Sequence, residues 1–128
     1  MSITIKGLDH VVLRVADLDR AVRFYCEVLG CTEERRLESI GLVQLRAGAS
    51  LIDLVPADGA PEVAGGNMDH FCLRIEPFDE AAIRSHLAAH GVEAGAVASR
   101  YGAEGHGPSL YLQDPDGNTV ELKGPPDG

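Results

Sequence analysis

Two histidines and two carboxylates recur at corresponding places in the two halves of this 128-residue chain. His10 stands in the segment DHVVLRV, and His70 stands in the later segment DHFCLRI. Asp53 and Glu121 lie in a second pair of similar segments, GASLIDL and GNTVEL. Imidazole nitrogens and carboxylate oxygens suit Zn, Ni, Co, Mn or Fe(II). The repeat therefore predicts a divalent metal site built from these four side chains, and either carboxylate could also take a proton from a substrate.

Strands must position these side chains, because alternate residues of a strand point to opposite faces. Residues 7–15 alternate strictly, with His10, Val12 and Arg14 opposite an apolar face, which predicts a strand packed on a core. The same pattern predicts further strands at 41–46, 50–55, 69–75, 109–113 and 118–123, and a more exposed one at 32–39.

Two helices are predicted by capping residues and by apolar residues at helical spacing. Asp17 is a good N-cap for a helix that ends near Gly30, and Asp79 is a good N-cap for a helix over about 79–90. Each half then has the order β-α-β-β-β. We predict an α+β fold in which two tandem modules form a curved mixed sheet around the metal site.

The predicted modules lie within a single domain, residues 1–128. Module one covers about 7–55 and module two about 68–123, with a glycine-rich linker at about 56–67. The glycine-rich stretch 100–108 predicts a long connection, either a mobile lid over the site or an ordinary exposed loop.

Other side chains on the mixed faces are candidate substrate contacts. A cation on such a face can pair with a substrate carboxylate, although an arginine at a sheet rim can equally extend to solvent. Lys123 falls on the same face of its strand as Glu121. The candidates for substrate binding are Arg14, Arg74, Gln44, Tyr111 and Cys72.

Composition excludes several classes of protein. A net charge of −9 argues against nucleic acid as a partner, because phosphate-backbone binding needs a basic face. The sequence has no apolar run long enough to span a membrane and no signal sequence, so we expect a cytoplasmic protein without a membrane partner. The three cysteines form no C-x-x-C pair, which indicates neither a disulfide framework nor a thiolate metal site.

Two motifs resemble those of the vicinal oxygen chelate superfamily. They are L-D-H-V-x-L-R-V-x-D-L-x-x-A-V-x-F-Y-x-x-V-L-G at 8–30 and D-P-D-G-N-x-x-E-L at 114–122. That superfamily includes glyoxalase I, fosfomycin-resistance transferases, bleomycin-resistance proteins, extradiol dioxygenases and methylmalonyl-CoA epimerase. The resemblance implies paired β-α-β-β-β modules around a metal, within one chain or across a homodimer, and a homodimer is expected.

The resemblance also assigns roles to residues. His10, His70 and Glu121 match the shared metal ligands, and Asp53 falls where glyoxalase I has a fourth, glutamate ligand. Whether Asp53 ligates directly, ligates through water or acts as a free base is left open. Arg14 matches the arginine that holds a glutathione carboxylate in glyoxalase I. Other glutathione contacts are unmatched, at residues 65–68 and near Gly107.

The predicted function is that of a glyoxalase-like lyase or isomerase. The metal would hold two adjacent oxygens of a small substrate, such as a thiol adduct, while Glu121 or Asp53 removes a proton and the enediolate is stabilised. The alternatives are a fosfomycin-type thiol transferase, an Fe(II) extradiol dioxygenase and a metal-free drug-binding resistance protein. The presence of a second carboxylate favours the glyoxalase-like reaction over these three alternatives.

Overall fold

The computed structural model describes residues 4–5, 7–57 and 68–127. Its contacts divide the chain into two compact units, Met1–Glu62, which contains module one, and Val63–Gly128, which contains module two. Of the predicted linker, positions 58–67 lie outside the described residues, and Pro56 is the last residue of a strand.

Module one contains four strands and one helix. The strands are β1 (His10–Val15), β2 (Thr32–Leu37), β3 (Leu42–Ala47) and β4 (Ser50–Pro56). Helix α1 (Leu18–Arg23) continues into one π-helical turn at Phe24–Val28, and a short 3-10 turn occupies Glu38–Ile40. Asp17 caps α1 as predicted, because its side chain accepts a hydrogen bond from the Arg20 amide at 3.0 Å.

Module two repeats this plan. Its strands are β5 (Phe71–Arg74), β6 (Ala98–Gly102), β7 (Gly105–Gln113) and β8 (Thr119–Lys123), and its helix is α2 (Glu80–Ala89). The predicted helix over 79–90 is confirmed, with the Asp79 side chain accepting from the Ala82 amide at 3.1 Å.

Each module forms one mixed four-stranded sheet with the same topology. The strand orders are β1-β4-β3-β2 and β5-β8-β7-β6. In both sheets the first strand pairs in parallel with the last, and the remaining pairs are antiparallel. The prediction of an α+β fold with two β-α-β-β-β modules is confirmed.

The apolar strand faces form the cores, as the alternation predicts. In module one the core joins the strands to α1 and its π-helical turn, where Tyr25 is fully buried. Burying each large side chain contributes about 1.5–3 kcal/mol. The buried apolar residues of the two modules are Leu13, Val15, Ala21, Phe24, Tyr25, Val28, Cys31, Val43, Leu45, Ile52, Leu54, Leu87, Leu110, Leu112, Val120 and Leu122.

The stretch 100–108 is not the long loop that its glycines suggested. It belongs to a β-hairpin, because β6 and β7 pair from Ala98–Ser109 to Gly102–Gly105 and leave only Ala103 and Glu104 at the tip. Gly105 has a φ of +103°, which few side-chain-bearing residues adopt. The glycines therefore serve a tight hairpin.

Among the helices in the described part of the chain, none is long and apolar enough to cross a membrane.

We predict that Asp79→Ala lowers the free energy of unfolding by about 1 kcal/mol, because α2 loses its N-terminal side-chain cap. Urea denaturation measures the change. Asp79→Ser is the matched control, since its hydroxyl can accept the same hydrogen bond and should lose less. Equal losses in the two variants would contradict the capping role.

Candidate metal centre

The two carboxylates occupy equivalent positions in the two sheets. In module one Asp53 lies between Val12 of β1 and Gln44 of β3. In module two Glu121 lies between Cys72 of β5 and Tyr111 of β7. The parallel strand pair thus places each carboxylate beside the segment that carries the histidine of the same module.

Each histidine is oriented by the aspartate before it. The Nδ1 atom of His10 lies 2.8 Å from Asp9 Oδ2, and Nδ1 of His70 lies 2.7 Å from Asp69 Oδ2. A carboxylate accepts and does not donate, so Nδ1 carries the proton in both rings. In the neutral imidazole Nε2 is then the atom with a free lone pair, as in metal-binding histidines whose other nitrogen donates to a carboxylate.

Module two holds a complete imidazole–carboxylate pair. Nε2 of His70 lies 3.2 Å from Oε1 of Glu121. Two ligands of one ion, each bound at about 2.1 Å, are roughly 3.0–3.4 Å apart. Glu121 is buried, whereas the side chain of His70 is one-third exposed. The chemistry and the spacing of this pair fit a divalent ion.

Module one holds the corresponding pair with a different environment. Asp53 is 5% exposed and lies on a central strand. Gln44 donates to its Oδ2 at 3.1 Å, while its Oδ1 has no hydrogen-bond partner among the residues with described structure. The hydrogen bond that His10 donates to Asp9 and, more weakly, the charge of Asp53 raise the pKa of His10 above its ordinary value. A buried acceptor without a donor is available to a cation or a proton.

Neither module by itself gathers three ligand side chains. Across residues 4–5, 7–57 and 68–127, no group of three or more His, Cys, Asp or Glu side chains is arranged to hold a metal ion. Each module holds one imidazole and one carboxylate at equivalent register positions, which is fewer than the three or four protein ligands of a typical zinc site.

The side chains predicted to contact substrate differ in the hydrogen bonds and ion pairs that they already make within the protein. Arg14 is exposed on β1, and Gln44 is bound to Asp53. Arg74 makes ion pairs with Glu76 at 2.8 Å and with Glu104 at 2.6 Å.

Tyr111 and Cys72 flank Glu121 in module two. The Tyr111 ring meets His70 edge-on at 5.2 Å, and the Arg100 guanidinium lies 4.5 Å from the centre of the same ring. Cys72 is exposed as a residue, but partial desolvation of its thiol raises the pKa to about 11; Glu121 acts in the same direction and Lys123 opposes it. At neutral pH Cys72 is therefore a neutral thiol that can line a site but is a poor nucleophile.

Lys123 was predicted to share a strand face with Glu121, but no role was predicted for it. It is 6% exposed, and its ammonium donates to the Gly105 carbonyl oxygen at 3.0 Å. The signal was its position two residues after Glu121, which puts both side chains on one face of β8. The alternation alone could not show that it is buried.

Comparison with known proteins places this arrangement in a family. The family model for the glyoxalase/bleomycin resistance protein/dioxygenase superfamily matches residues 7–122. Virulence protein STM3117 of Salmonella typhimurium is 29% identical over 92% of this chain and 83% of its own. A probable lactoylglutathione lyase of Synechocystis is also 29% identical, over 88% of this chain and 91% of its own.

Solved structures agree with the sequence comparison. The crystal structure of STM3117 has a TM-score of 0.78 at 28% identity and covers 95% of this chain and 98% of that one. The fosfomycin resistance protein FosX from Listeria monocytogenes has a TM-score of 0.74 at 23% identity, with 95% of each chain covered, and shows the fold. The chain belongs to the glyoxalase/bleomycin resistance protein/dioxygenase superfamily, the vicinal oxygen chelate proteins.

Proposed function

We propose that this protein is a metal-dependent enzyme of the glyoxalase type, a lyase or isomerase for a small substrate with two adjacent oxygens. The observation that carries the proposal is the pair His70 Nε2–Glu121 Oε1 at 3.2 Å, with His10 and Asp53 at the equivalent register positions of module one. The likeness to a protein described as a probable lactoylglutathione lyase supports this reaction class.

In this proposal His10, His70 and Glu121 hold a divalent ion, one of Ni, Zn, Mn, Co or Fe. When bound, the ion would polarise the two adjacent oxygens of the substrate and stabilise the negative charge that develops there. Asp9 and Asp69 keep the two imidazoles in the ligating tautomer.

The proton acceptor is a carboxylate of the same set, Asp53 or Glu121. Asp53 suits this role because one of its oxygens is buried and without a donor, while Gln44 fixes the other at 3.1 Å. A base held in one orientation can take the proton from the carbon between the two substrate oxygens. Arg14, Arg74, Gln44, Tyr111 and Cys72 would contact the rest of the substrate.

For the assembly we propose a homodimer, as expected from the resemblance, and for its location the cytoplasm. Light scattering coupled to gel filtration gives the mass of the particle, and a monomeric mass would remove the dimer from the proposal. The roles of the metal ligands and of the base are tested separately, by metal binding and by activity.

We predict that purified protein binds one Ni²⁺ or Zn²⁺ per chain in calorimetry. His70→Ala and Glu121→Ala should abolish measurable binding. Asp9→Ala and Asp69→Ala should weaken it about 10–100-fold, because each removes the carboxylate that orients a ligand. Asp19→Ala, an exposed carboxylate in α1, is the control and should leave the affinity unchanged. Absence of binding to the unsubstituted chain would contradict the metal role and favour a metal-free drug-binding protein.

We predict metal-dependent isomerisation of the methylglyoxal–glutathione adduct, followed by ultraviolet absorbance with each metal in turn. Loss of the general base costs about 10²–10⁴-fold in rate. If Asp53→Asn lowers kcat and leaves metal affinity intact, Asp53 is the base; if both fall, it is a ligand. No rate with any metal would exclude this reaction. Parallel assays with fosfomycin plus thiol and with a catechol plus oxygen then test the alternatives.

We also predict that Asp53→Asn stabilises the metal-free protein by about 1 kcal/mol. The substitution removes a buried charge with an unpartnered oxygen, and such groups cost free energy when they stay unpaired. Urea denaturation in the presence of a chelator measures the effect. Asp9→Asn is the control, because its side chain is 91% exposed and should change stability by less than about 0.5 kcal/mol. A clear loss of stability in Asp53→Asn would show that the carboxylate is structural.

A further inference from the structure

The second module contains a buried cation that nothing in the described residues neutralises. Lys123 is 6% exposed, and its single hydrogen bond within the described parts of the chain runs from Nζ to the Gly105 carbonyl oxygen at 3.0 Å. An ammonium has three donors, so two remain. No carboxylate of the described residues lies within ion-pair distance of it. A buried charge without a partner is costly and calls for a counter-ion.

The other two cations on this sheet face are already engaged. Arg74, beside Lys123 in the register, donates to Glu76, Glu104 and the Ile75 carbonyl oxygen. Arg100 donates to the backbone and side-chain oxygens of Ser109 and lies over the Tyr111 ring. Lys123 is therefore the cation of this face whose donors are still available, a statement that covers the described residues.

The hairpin leaves room for this ammonium by lacking side chains around it. A Cβ atom at Gly102 would lie 2.9 Å from Cε of Lys123, and one at Gly107 would lie 3.0 Å from its Nζ. At Gly107 the nearest atom would be the Pro125 carbonyl oxygen, at 2.7 Å, so backbone as well as the lysine limits that position, whereas at Gly102 the close atoms belong to the flexible lysine side chain. The hairpin glycines thus form a cradle for the charged end of Lys123.

The cradle lies near the proposed metal centre. Lys123 follows Glu121 by two residues on β8, so their Cα atoms are about 7 Å apart and their side chains share a face. Both residues are buried, at 6% and 7% exposure.

We propose that Lys123 is the anion-binding residue of this site. Its ammonium would bind an oxyanion of the substrate, a carboxylate or phosphonate a few bonds from the two adjacent oxygens of the proposed reaction. The expected substrates are then small acids, whose oxyanion would accept charge-assisted hydrogen bonds from the Lys123 ammonium. This inference rests on the proposed function, since the oxyanion is placed relative to Glu121.

The sequence makes a direct test possible, because the chain has two lysines, Lys6 and Lys123. Protein labelled with ¹³Cε-lysine gives two methylene signals, which Lys6→Met assigns. We expect phosphonoacetate, at constant ionic strength, to shift the Lys123 signal saturably and to leave the Lys6 signal in place. Trimethyl phosphonoacetate, its uncharged ester, should shift neither.

Calorimetry on variants provides the second measurement. Lys123→Met should weaken phosphonoacetate binding about tenfold or more, while Lys6→Met, the matched control, should not change it. Nickel binding should survive in Lys123→Met, so loss of the anion is separable from loss of the metal. Circular dichroism checks that the variant folds, and the spectra of the unsubstituted chain remain decisive if it does not.

Two results would overturn the inference. One is an unchanged Lys123 signal at tens of millimolar phosphonoacetate, in metal-free and in nickel-loaded protein alike. The other is an equal shift of both lysines, which would indicate screening by salt. Nickel binding without any response at Lys123 would leave the metal proposal intact and make Lys123 a structural anchor of the hairpin. A response at Lys123 without nickel binding would support the anion site and contradict the proposed metal site.

Discussion

The parallel pairing of the first and last strand of each module is the constraint on which the site depends. It joins strands far apart in sequence, His10–Val15 to Ser50–Pro56 in one module and Phe71–Arg74 to Thr119–Lys123 in the other, and a helix and two strands lie between them along the chain. A parallel pair needs such a crossover. Its result is that an imidazole near the start of a module meets a carboxylate near its end. A slip of one residue would turn the carboxylate to the apolar core.

The same pairing explains why the two halves hold similar groups with different surroundings. Asp53 and Glu121 occupy equivalent register positions, yet one faces Gln44 and the other Tyr111 across the antiparallel pair. Gln44 donates to Asp53 and leaves its second oxygen bare, whereas Glu121 lies against the ring of His70. The two modules therefore share one backbone arrangement, and the residue opposite each carboxylate, Gln44 or Tyr111, makes its surroundings different.

Much of this follows from the sequence because period-two alternation survives in nearly every strand. The alternation gave the strands, the capping aspartates gave the helix starts, and the repeat indicated which residues are equivalent. The strand residues over 98–108 escaped prediction because the glycines there are typical of loops, and only pairing between β6 and β7 shows them to be strand residues. The roles of Asp9 and Asp69 escaped because a bond between adjacent residues leaves no periodic trace. Burial of Lys123 depends on the space left by Gly102 and Gly107, which no local pattern encodes.

The strand order also gives the histidines and the carboxylates different backbone support within each sheet. β1 and β5 are edge strands, held on one side only, whereas β4 and β8 are hydrogen-bonded on both sides. His10 lies on such an edge strand and His70 directly before one, while Asp53 and Glu121 lie on the inner strands. In the proposed metal centre the carboxylates would therefore come from backbone supported on both sides, and the imidazoles, supported on one side, would be the ligands that adjust to ions of different radius.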